Sequence, residues 1–250
     1  MNEKIIAIIP SRYQSSRFPG KPLAMICQKP MIQWVYERVK LVDDISDVYV
    51  ATDDKRIFDC VIEFGGKAIM TGECSCGSDR VYQASADLDA DIIVNIQGDE
   101  PLIKPEMIQE LIGAFHDPAV EMATLKKRIV NRDEINNPNV VKVITDVKGD
   151  AIYFSRSTIP FDRDRKSEVE YYGHVGVYAY TKSFLKMYVN LQQGSLECIE
   201  NLEQLRVLEN GYKIRVIETE YQSLGVDVPD QILQIEEELR RKGNVYSNNN

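Results

Sequence analysis

The chain has 250 residues, 44% hydrophobic and 28% charged, with a formal net charge of −9. That is an ordinary globular composition, long enough for one domain with a full core. The acid excess and the lack of any Lys/Arg-rich run argue against nucleic acid as the main partner, and no apolar run approaches the ~20 residues that span a bilayer. The opening apolar stretch, residues 5–9, is too short for a secretion signal. Five cysteines, Cys27, Cys60, Cys74, Cys76 and Cys198, lack CxxC spacing and fit reduced thiols in a cytoplasmic protein.

In chain order, residues 5–9 read as a buried strand and residues 10–22 as a loop. Residues 31–39 have helical spacing, with Ile32, Val35 and Val39 on one side. A second strand at 47–51 leads to Asp53-Asp54, which cap a helix through about residue 64. Gly65-Gly66 end it, residues 67–70 form a third strand, and residues 71–78 are a loop of small residues. Asp79 begins a helix to about residue 88. Residues 92–96, Ile-Ile-Val-Asn-Ile, read as a central strand buried on both faces. This alternation predicts a parallel sheet with crossover helices.

Residues 105–115 form a helix with Pro in its first turn. Residues 123–130 look extended, Asn137-Pro138-Asn139 is a turn before a strand at 140–145, and Val147-Lys148-Gly149-Asp150 is a hairpin turn into 151–155. A strand at 175–180, helices at 182–190 and 196–208, a strand at 213–219 and a helix at 229–242 follow, with a polar tail at 243–250. The fold class is α/β: a mixed, mostly parallel central sheet with flanking helices, plus a smaller antiparallel part, within one domain.

Four clusters carry chemistry. The first is the abrupt end of the central strand at Gln97-Gly98-Asp99-Glu100-Pro101. Ligands of open α/β sheets sit at such carboxyl ends, and an acid pair there suits Mg²⁺, which prefers carboxylate oxygen and substrate phosphates; the plain alternative is a solvated polar turn. The second is the loop after the first strand, with Arg12, Arg17 and Lys21. It lacks both the GxGxxG fingerprint and a Walker sequence, yet three cations leaving a sheet end suit a triphosphate.

The third is Cys76-Gly77-Ser78-Asp79-Arg80 entering a helix, which would either grip an anion or simply cap the helix through Ser78. Asp227, in Gly225-Val-Asp-Val-Pro229, reads as a cap or turn residue that becomes a metal ligand only if the fold brings it beside Asp99. The fourth lies in the antiparallel part: Ser155-Arg156, then 162–165, His174 to Tyr178, and Glu203-Gln204-Leu205-Arg206. It suits a carboxylate-bearing, hydroxyl-rich substrate or, equally, a surface ion network.

Together these segments resemble the 3-deoxy-manno-octulosonate cytidylyltransferases, the CMP-Kdo synthetases. The resemblance rests on Ile8-Ile-Pro-Ser-Arg-Tyr, Arg17-Phe-Pro-Gly-Lys-Pro22, Ala51-Thr-Asp53, Val94-Asn-Ile-Gln-Gly-Asp-Glu-Pro101, Asn137-Pro-Asn-Val-Val-Lys142, Tyr153-Phe-Ser-Arg-Ser-Thr-Ile-Pro160, His174-Val-Gly-Val-Tyr-Ala-Tyr180, Leu202-Glu-Gln-Leu-Arg206 and Gly225-Val-Asp227, in order over nearly the whole chain. Two segments depart from the usual pattern. Cys76-Gly-Ser-Asp-Arg80 stands where Ser-Gly-Thr-Glu-Arg is usual, and Ser223-Leu-Gly-Val-Asp-Val-Pro229 where Gly-Thr-Gly-Val-Asp-Thr-Pro is.

The resemblance implies a nucleotide-diphospho-sugar transferase-like fold and a homodimer built through about residues 150–195. It implies transfer of CMP from CTP to a 2-keto-3-deoxy sugar acid (Kdo), with release of pyrophosphate and with Mg²⁺, for lipopolysaccharide or capsule. By motif, Lys21, Arg17, Asp99 and Asp227 are the catalytic set, and Asp99 and Asp227 the metal ligands. Pro10, Arg12, Arg17, Lys21, Gly77, Ser78, Arg80, Gln97 and Asp99 would bind the nucleotide. Gln97, Arg156, His174, Tyr178, Glu203 and Gln204 would face the sugar acid. The alternative is a cytidylyltransferase for a related acceptor: 8-amino-Kdo, another keto acid or a phosphonate.

Overall fold

A computed structural model describes residues 3–15, 18–164, 169–241 and 243. The chain divides into two compact units, one of residues 1–90, 95–105 and 222–250, the other of residues 91–94 and 106–221. The mixed α/β class is the expected one. No described helix is long and apolar enough to cross a membrane.

The first unit begins with strand β1 (Ile5–Ser11), whose continuous apolar run is almost wholly buried. A 3-10 turn (Lys21–Leu23) follows, then the two-residue strands β2 (Met25–Ile26) and β3 (Lys29–Pro30) and helix α1 (Met31–Val39). Strand β4 (Ile45–Thr52), helix α2 (Lys55–Glu63), strand β5 (Ala68–Met70) and helix α3 (Gly77–Ser85) complete the βαβ pattern. β1, β4 and β5 pair in parallel, with Ile8 opposite Tyr49 and Val50 opposite Ala68. α3 packs on β1, while α1 and α2 pack on β4. Asp54 caps α2 by accepting from Arg56 N, as its sequence position suggests.

The unit boundary runs through strand β6 (Ile92–Asn95), one residue shorter than expected and fully buried. Helix α4 (Pro105–Gly113) has its Pro in the first turn and ends in a 3-10 turn (Ala114–His116). The second unit continues with β7 (Met122–Arg128), α5 (Arg132–Ile135), β8 (Lys142–Thr145), β9 (Ala151–Ser155) and β10 (Tyr172–Thr181). Helices α6 (Lys182–Val189), α7 (Ser195–Glu200) and α8 (Leu205–Glu209) precede β11 (Arg215–Glu218). Strand order there is β11-β7-β10-β6, with β8 pairing both β10 and β9. β7 and β10 are antiparallel with a register shift between Val175 and Tyr178, whereas β11 runs parallel to β7. Helix α9 (Gln231–Arg241) returns to the first unit, where Ile235 and Leu239 bury against Ile26, Met31, Trp34, Leu102 and Val226.

Two helix expectations need correction. The helix expected from Asp79 to about residue 88 begins at Gly77 and ends at Ser85, so Ser78 lies inside its first turn and Cys76 holds the cap position. The single helix expected over 196–208 is two helices, broken by Asn201 in the left-handed conformation (φ 52°). The short hairpin of β2 and β3 and the one-turn α5 had no expectation. Asn131 caps α5 by accepting from Asp133 N.

Candidate functional site

In the first unit, three chain segments converge at the carboxyl end of β1. A Cβ placed on Gly77, at the start of α3, would lie 3.8 Å from Pro10 Cγ. One placed on Gly98, in the turn after β6, would lie 2.6 Å from Ser11 Oγ and 3.3 Å from the Pro10 carbonyl oxygen. Real Cβ atoms do not sit that close, so Gly98 is what allows the turn to approach β1. The main chain beyond β6 is tied to the same strand by Ile96 N donating to the Ile8 carbonyl at 3.2 Å.

The next residue after Gly98 is Asp99, and Lys21 reaches it. The Lys21 ammonium donates to Asp99 Oδ2 and, at 2.9 Å, to the Val226 carbonyl. Val226 N in turn donates to the Asp99 carbonyl at 2.9 Å. Residues 21, 99 and 226, distant in sequence, are therefore one hydrogen-bonded junction. Asp227, the next residue, has an exposed side chain, and its N–H donates to Gln231 Oε1 at 2.6 Å, in the first turn of α9. The residue before Asp227 is thus bonded to the Asp99 main chain, while the Asp227 carboxylate itself is exposed.

Glu100, the second member of the acid pair after the central strand, has no role in the set the family resemblance implies. Its Oε2 is buried with no hydrogen-bond partner among the described residues. Burial pushes its carboxyl up to about 7; the Asp99 charge adds in the same direction, and the Ser223 hydroxyl pulls the other way without a well-formed hydrogen bond. Asp99, Glu100 and Asp227 carry carboxylate oxygen, the donor type Mg²⁺ prefers, but among the described residues no three His, Cys, Asp or Glu side chains cluster closely enough to hold a metal ion.

Arg80, four per cent exposed, donates to Asp53 Oδ2 at 2.6 Å and to the Thr71 hydroxyl. Its guanidinium thus locks α3 to the loops after β4 and β5. Ser78 is buried beside it. Arg12 is exposed and lines a cavity of about 740 Å³ with Tyr13, Gln14, Ser15, Pro19 and Arg56. Gln97 donates to Asn95 Oδ1 at 3.4 Å. Arg17 lies outside the described residues, as does Arg165.

In the second unit, the register shift in β10 sets His174 and Tyr178 ring against ring, with centroids 5.4 Å apart; Phe154 meets His174 edge-on at 5.0 Å. His174 Nε2 lies 2.9 Å from the Thr124 hydroxyl. Burial pushes the imidazole down to about 3, so it is neutral at physiological pH. Burial holds the Tyr178 phenol well above its usual value, and the neighbouring Tyr180 and Glu203 act in the same direction. Tyr178, Tyr180 and Tyr188 stack in sequence, and the Tyr188 hydroxyl donates to the Glu203 carbonyl at 3.2 Å.

Glu203 and Gln204 sit in the break between α7 and α8. The buried Glu197 carboxylate receives both arms of Arg206, at 2.6 and 2.7 Å, which pins one helix to the other. Gln204 is three per cent exposed, and its Nε2 has no partner among the described residues. Arg156 clamps the same break, donating to the Glu200 carbonyl at 2.7 Å, to that of Pro138 at 3.1 Å and to that of Asn201 at 3.3 Å. Its guanidinium is thus bonded to main-chain carbonyls. Lys142, fully buried, is a site that sequence reading missed: its ammonium gathers three main-chain carbonyls, including that of Arg156. A lysine after an apolar pair gave no signal of burial.

Residues 6–214 match the family described as Cytidylyltransferase. The chain is 52% identical over 240 residues to the 3-deoxy-manno-octulosonate cytidylyltransferase of Syntrophus aciditrophicus (strain SB), covering 94% of this chain and 97% of that protein. It is 48% identical over 241 residues to the 8-amino-3,8-dideoxy-manno-octulosonate cytidylyltransferase of Shewanella baltica (strain OS185), covering 94% and 98%. A solved structure of CMP:2-keto-3-deoxy-manno-octonic acid synthetase complexed with CTP matches with a TM-score of 0.92 and 42% identity, over 96% of this chain and 99% of that one. The 4-diphosphocytidyl-2C-methyl-D-erythritol synthase of Anaerococcus prevotii DSM 20548, at TM-score 0.65 and 15% identity, shares the fold. With about half of all positions identical over nearly the full length, the chain belongs to the 3-deoxy-manno-octulosonate cytidylyltransferase family.

Proposed function

We propose that this chain transfers CMP from CTP to the anomeric hydroxyl of 3-deoxy-manno-octulosonate, releasing pyrophosphate, as a homodimer in the cytoplasm and in the service of lipopolysaccharide or capsule synthesis. The observation that carries the reading is the junction of Lys21, Asp99 and Val226 beside the glycine-lined end of β1. A cation and a carboxylate held together at a strand end are what a triphosphate with its counter-ion requires.

The anomeric oxygen attacks the α-phosphorus in line, and pyrophosphate leaves; no covalent bond to the protein is needed. Lys21, fixed by two hydrogen bonds, places positive charge beside the phosphates together with Arg12, a role the family resemblance also implies for Arg17. Mg²⁺ held by Asp99 and Asp227 would supply charge neutralisation and a lower pKa for the attacking hydroxyl. In the second unit, neutral His174 and un-ionised Tyr178 offer hydrogen bonds to a hydroxyl-rich acid without adding a like charge. Positioning and electrostatics supply the catalysis.

The family contains a relative that acts on the 8-amino sugar, so the acceptor is the point to test. Pyrophosphate release is measured with CTP, ATP, GTP and UTP against Kdo, 8-amino-Kdo and a nine-carbon keto acid. The reading expects CTP and Kdo to give the highest kcat/KM. A preference for 8-amino-Kdo of tenfold or more would reassign the acceptor, and release with no keto acid would end the proposal.

A further inference from the structure

Arg56 lines the cavity that also holds Arg12, and an arginine there invites reading as a second phosphate clamp. Its geometry points elsewhere. Two of its nitrogens are taken by Asp54: Nε donates to Oδ1 at 2.9 Å and Nη2 to Oδ2 at 2.6 Å. The plane so fixed lies over the Tyr13 ring, with the guanidinium carbon 3.3 Å from the centroid. The same ring covers Gly20, where a Cβ would come within 3.1 Å of it. Gly20 is left-handed (φ 73°), and its N–H donates to the Tyr13 carbonyl at 2.8 Å. Gly20 leads directly into the turn that carries Lys21. A chain of contacts therefore runs from the cap of α2 through Arg56, Tyr13 and Gly20 to Lys21, and on to Asp99.

We propose that Arg56 and Tyr13 form a clasp that fixes the placement of Lys21, so that Arg56 is a positioning residue for the nucleotide; this rests on the reading of the chain as a CTP-using transferase. A guanidinium stacked on an aromatic face and held flat by a carboxylate has one orientation, and it passes that order to the ring beneath it. Lysine cannot replace it, because a point charge has neither the plane nor the fork.

The test measures CTP affinity by calorimetry and KM for each substrate in the full chain. Arg56→Ala and Tyr13→Leu are each expected to weaken CTP about three- to tenfold, with KM for the keto acid unchanged and melting temperature nearly so. Arg56→Lys should behave like Arg56→Ala, and Tyr13→Phe like the wild type. The double variant Arg56→Ala/Tyr13→Leu should be no worse than the poorer single, since both break one device. Multiplying effects in the double variant would overturn the clasp, as would an Arg56→Lys variant that binds CTP normally while Tyr13→Leu is silent; either result would make Arg56 a direct phosphate ligand. Affinity is read without turnover. A failed clasp, with variants equal to the wild type, is therefore distinct from a failed transferase reading, in which the wild type releases no pyrophosphate.

Discussion

Replacing Lys142 with Met keeps the volume of a fully buried side chain and removes its charge and donors. The ammonium donates to the carbonyls of Val140 at 2.6 Å, Arg156 at 2.7 Å and Asn137 at 2.9 Å. The Asn137 carbonyl also accepts from Val140 N, so the change chiefly removes the charged donor from the other two. Charge-assisted hydrogen bonds contribute roughly 1.5–3 kcal/mol each, partly offset by no longer desolvating an ammonium. Burial does push the Lys142 amine below its ordinary value, so that offset is real. A net loss of about 3 kcal/mol is expected. For a chain of this size that lowers the melting temperature by roughly 6–12 °C. Scanning calorimetry reads the shift, and urea unfolding checks it. The Arg156 carbonyl is one of the three acceptors, and the Arg156 guanidinium ties the α7–α8 break. KM for the sugar acid should therefore rise while that for CTP stays put. A loss under about 1 kcal/mol, or a rise in KM for CTP instead, would refute the idea that Lys142 braces the second unit around Arg156.

Three further changes test the first unit. Asp99→Asn should lower turnover by about a thousandfold, since it removes charge at the reacting end of the junction; circular dichroism and melting temperature should stay near wild type, and activity within tenfold would void the assignment. Gly98→Ala drives a methyl to 2.6 Å from Ser11 Oγ and should cost about 1–3 kcal/mol. Ser11→Ala should restore at least half of it, and no rescue would mean that the backbone of Pro10 sets the clash. Glu100→Gln should stabilise the chain at pH 8 but not at pH 5. The folded carboxyl sits at about 7, raised above its ordinary value of 4.5, so its stabilising contribution is full below 4.5 and is lost as pH rises through 7. The residue is only partly buried overall, so the gain is ~1–2 kcal/mol. Melting curves in chelator at the two pH values check it, and a larger gain at pH 5 would contradict the burial argument.

The main strands of the first unit and helix α2 were legible because the local signals there agreed with the fold, whereas the bounds of α3 and the β2–β3 hairpin were not. The run Ile5 to Ile9 is apolar at every position, which suits only a strand buried on both faces, and Asp54 sits where a cap is needed. The region 196–208 misled for a specific reason. Leu196, Ile199, Leu202, Leu205 and Leu208 recur every third residue, and three residues advance only ~300° around a helix. Over several repeats such a row drifts off any single face. The chain resolves this by breaking at Asn201: Leu202 and Leu205 are buried, while Ile199 stays 79% exposed. The candidate site was legible as residue types at strand ends. What could not be read was which cations were engaged with the scaffold. Arg80 and Arg156 resemble ligand-binding arginines in sequence, yet in the structure their guanidiniums are bonded to Asp53, Thr71 and main-chain carbonyls. These partners lie nine to 44 residues away along the chain, and no local pattern announces them.

The distribution of unsatisfied polar atoms carries the last step of the argument. Lys142, deep in the second unit, has three acceptors within 2.9 Å and is complete. Ser11 Oγ, Glu100 Oε2 and Ser223 Oγ are buried without partners among the described residues. These three flank the junction of Lys21, Asp99 and Val226, two of them as immediate neighbours of Pro10 and Asp99. Gln204 Nε2, in the α7–α8 break, shares the condition, as does Glu110 Oε2 on α4, for which the structure offers no reason. Each such atom costs roughly 1–3 kcal/mol if nothing meets it, and a scaffold that satisfies Lys142 so fully had the means to satisfy a serine. A group that is polar, buried and unpaired beside a strand end is therefore best read as one awaiting a polar ligand. That makes Ser11 and Glu100 the positions at which added nucleotide should change hydrogen exchange and carboxyl titration first.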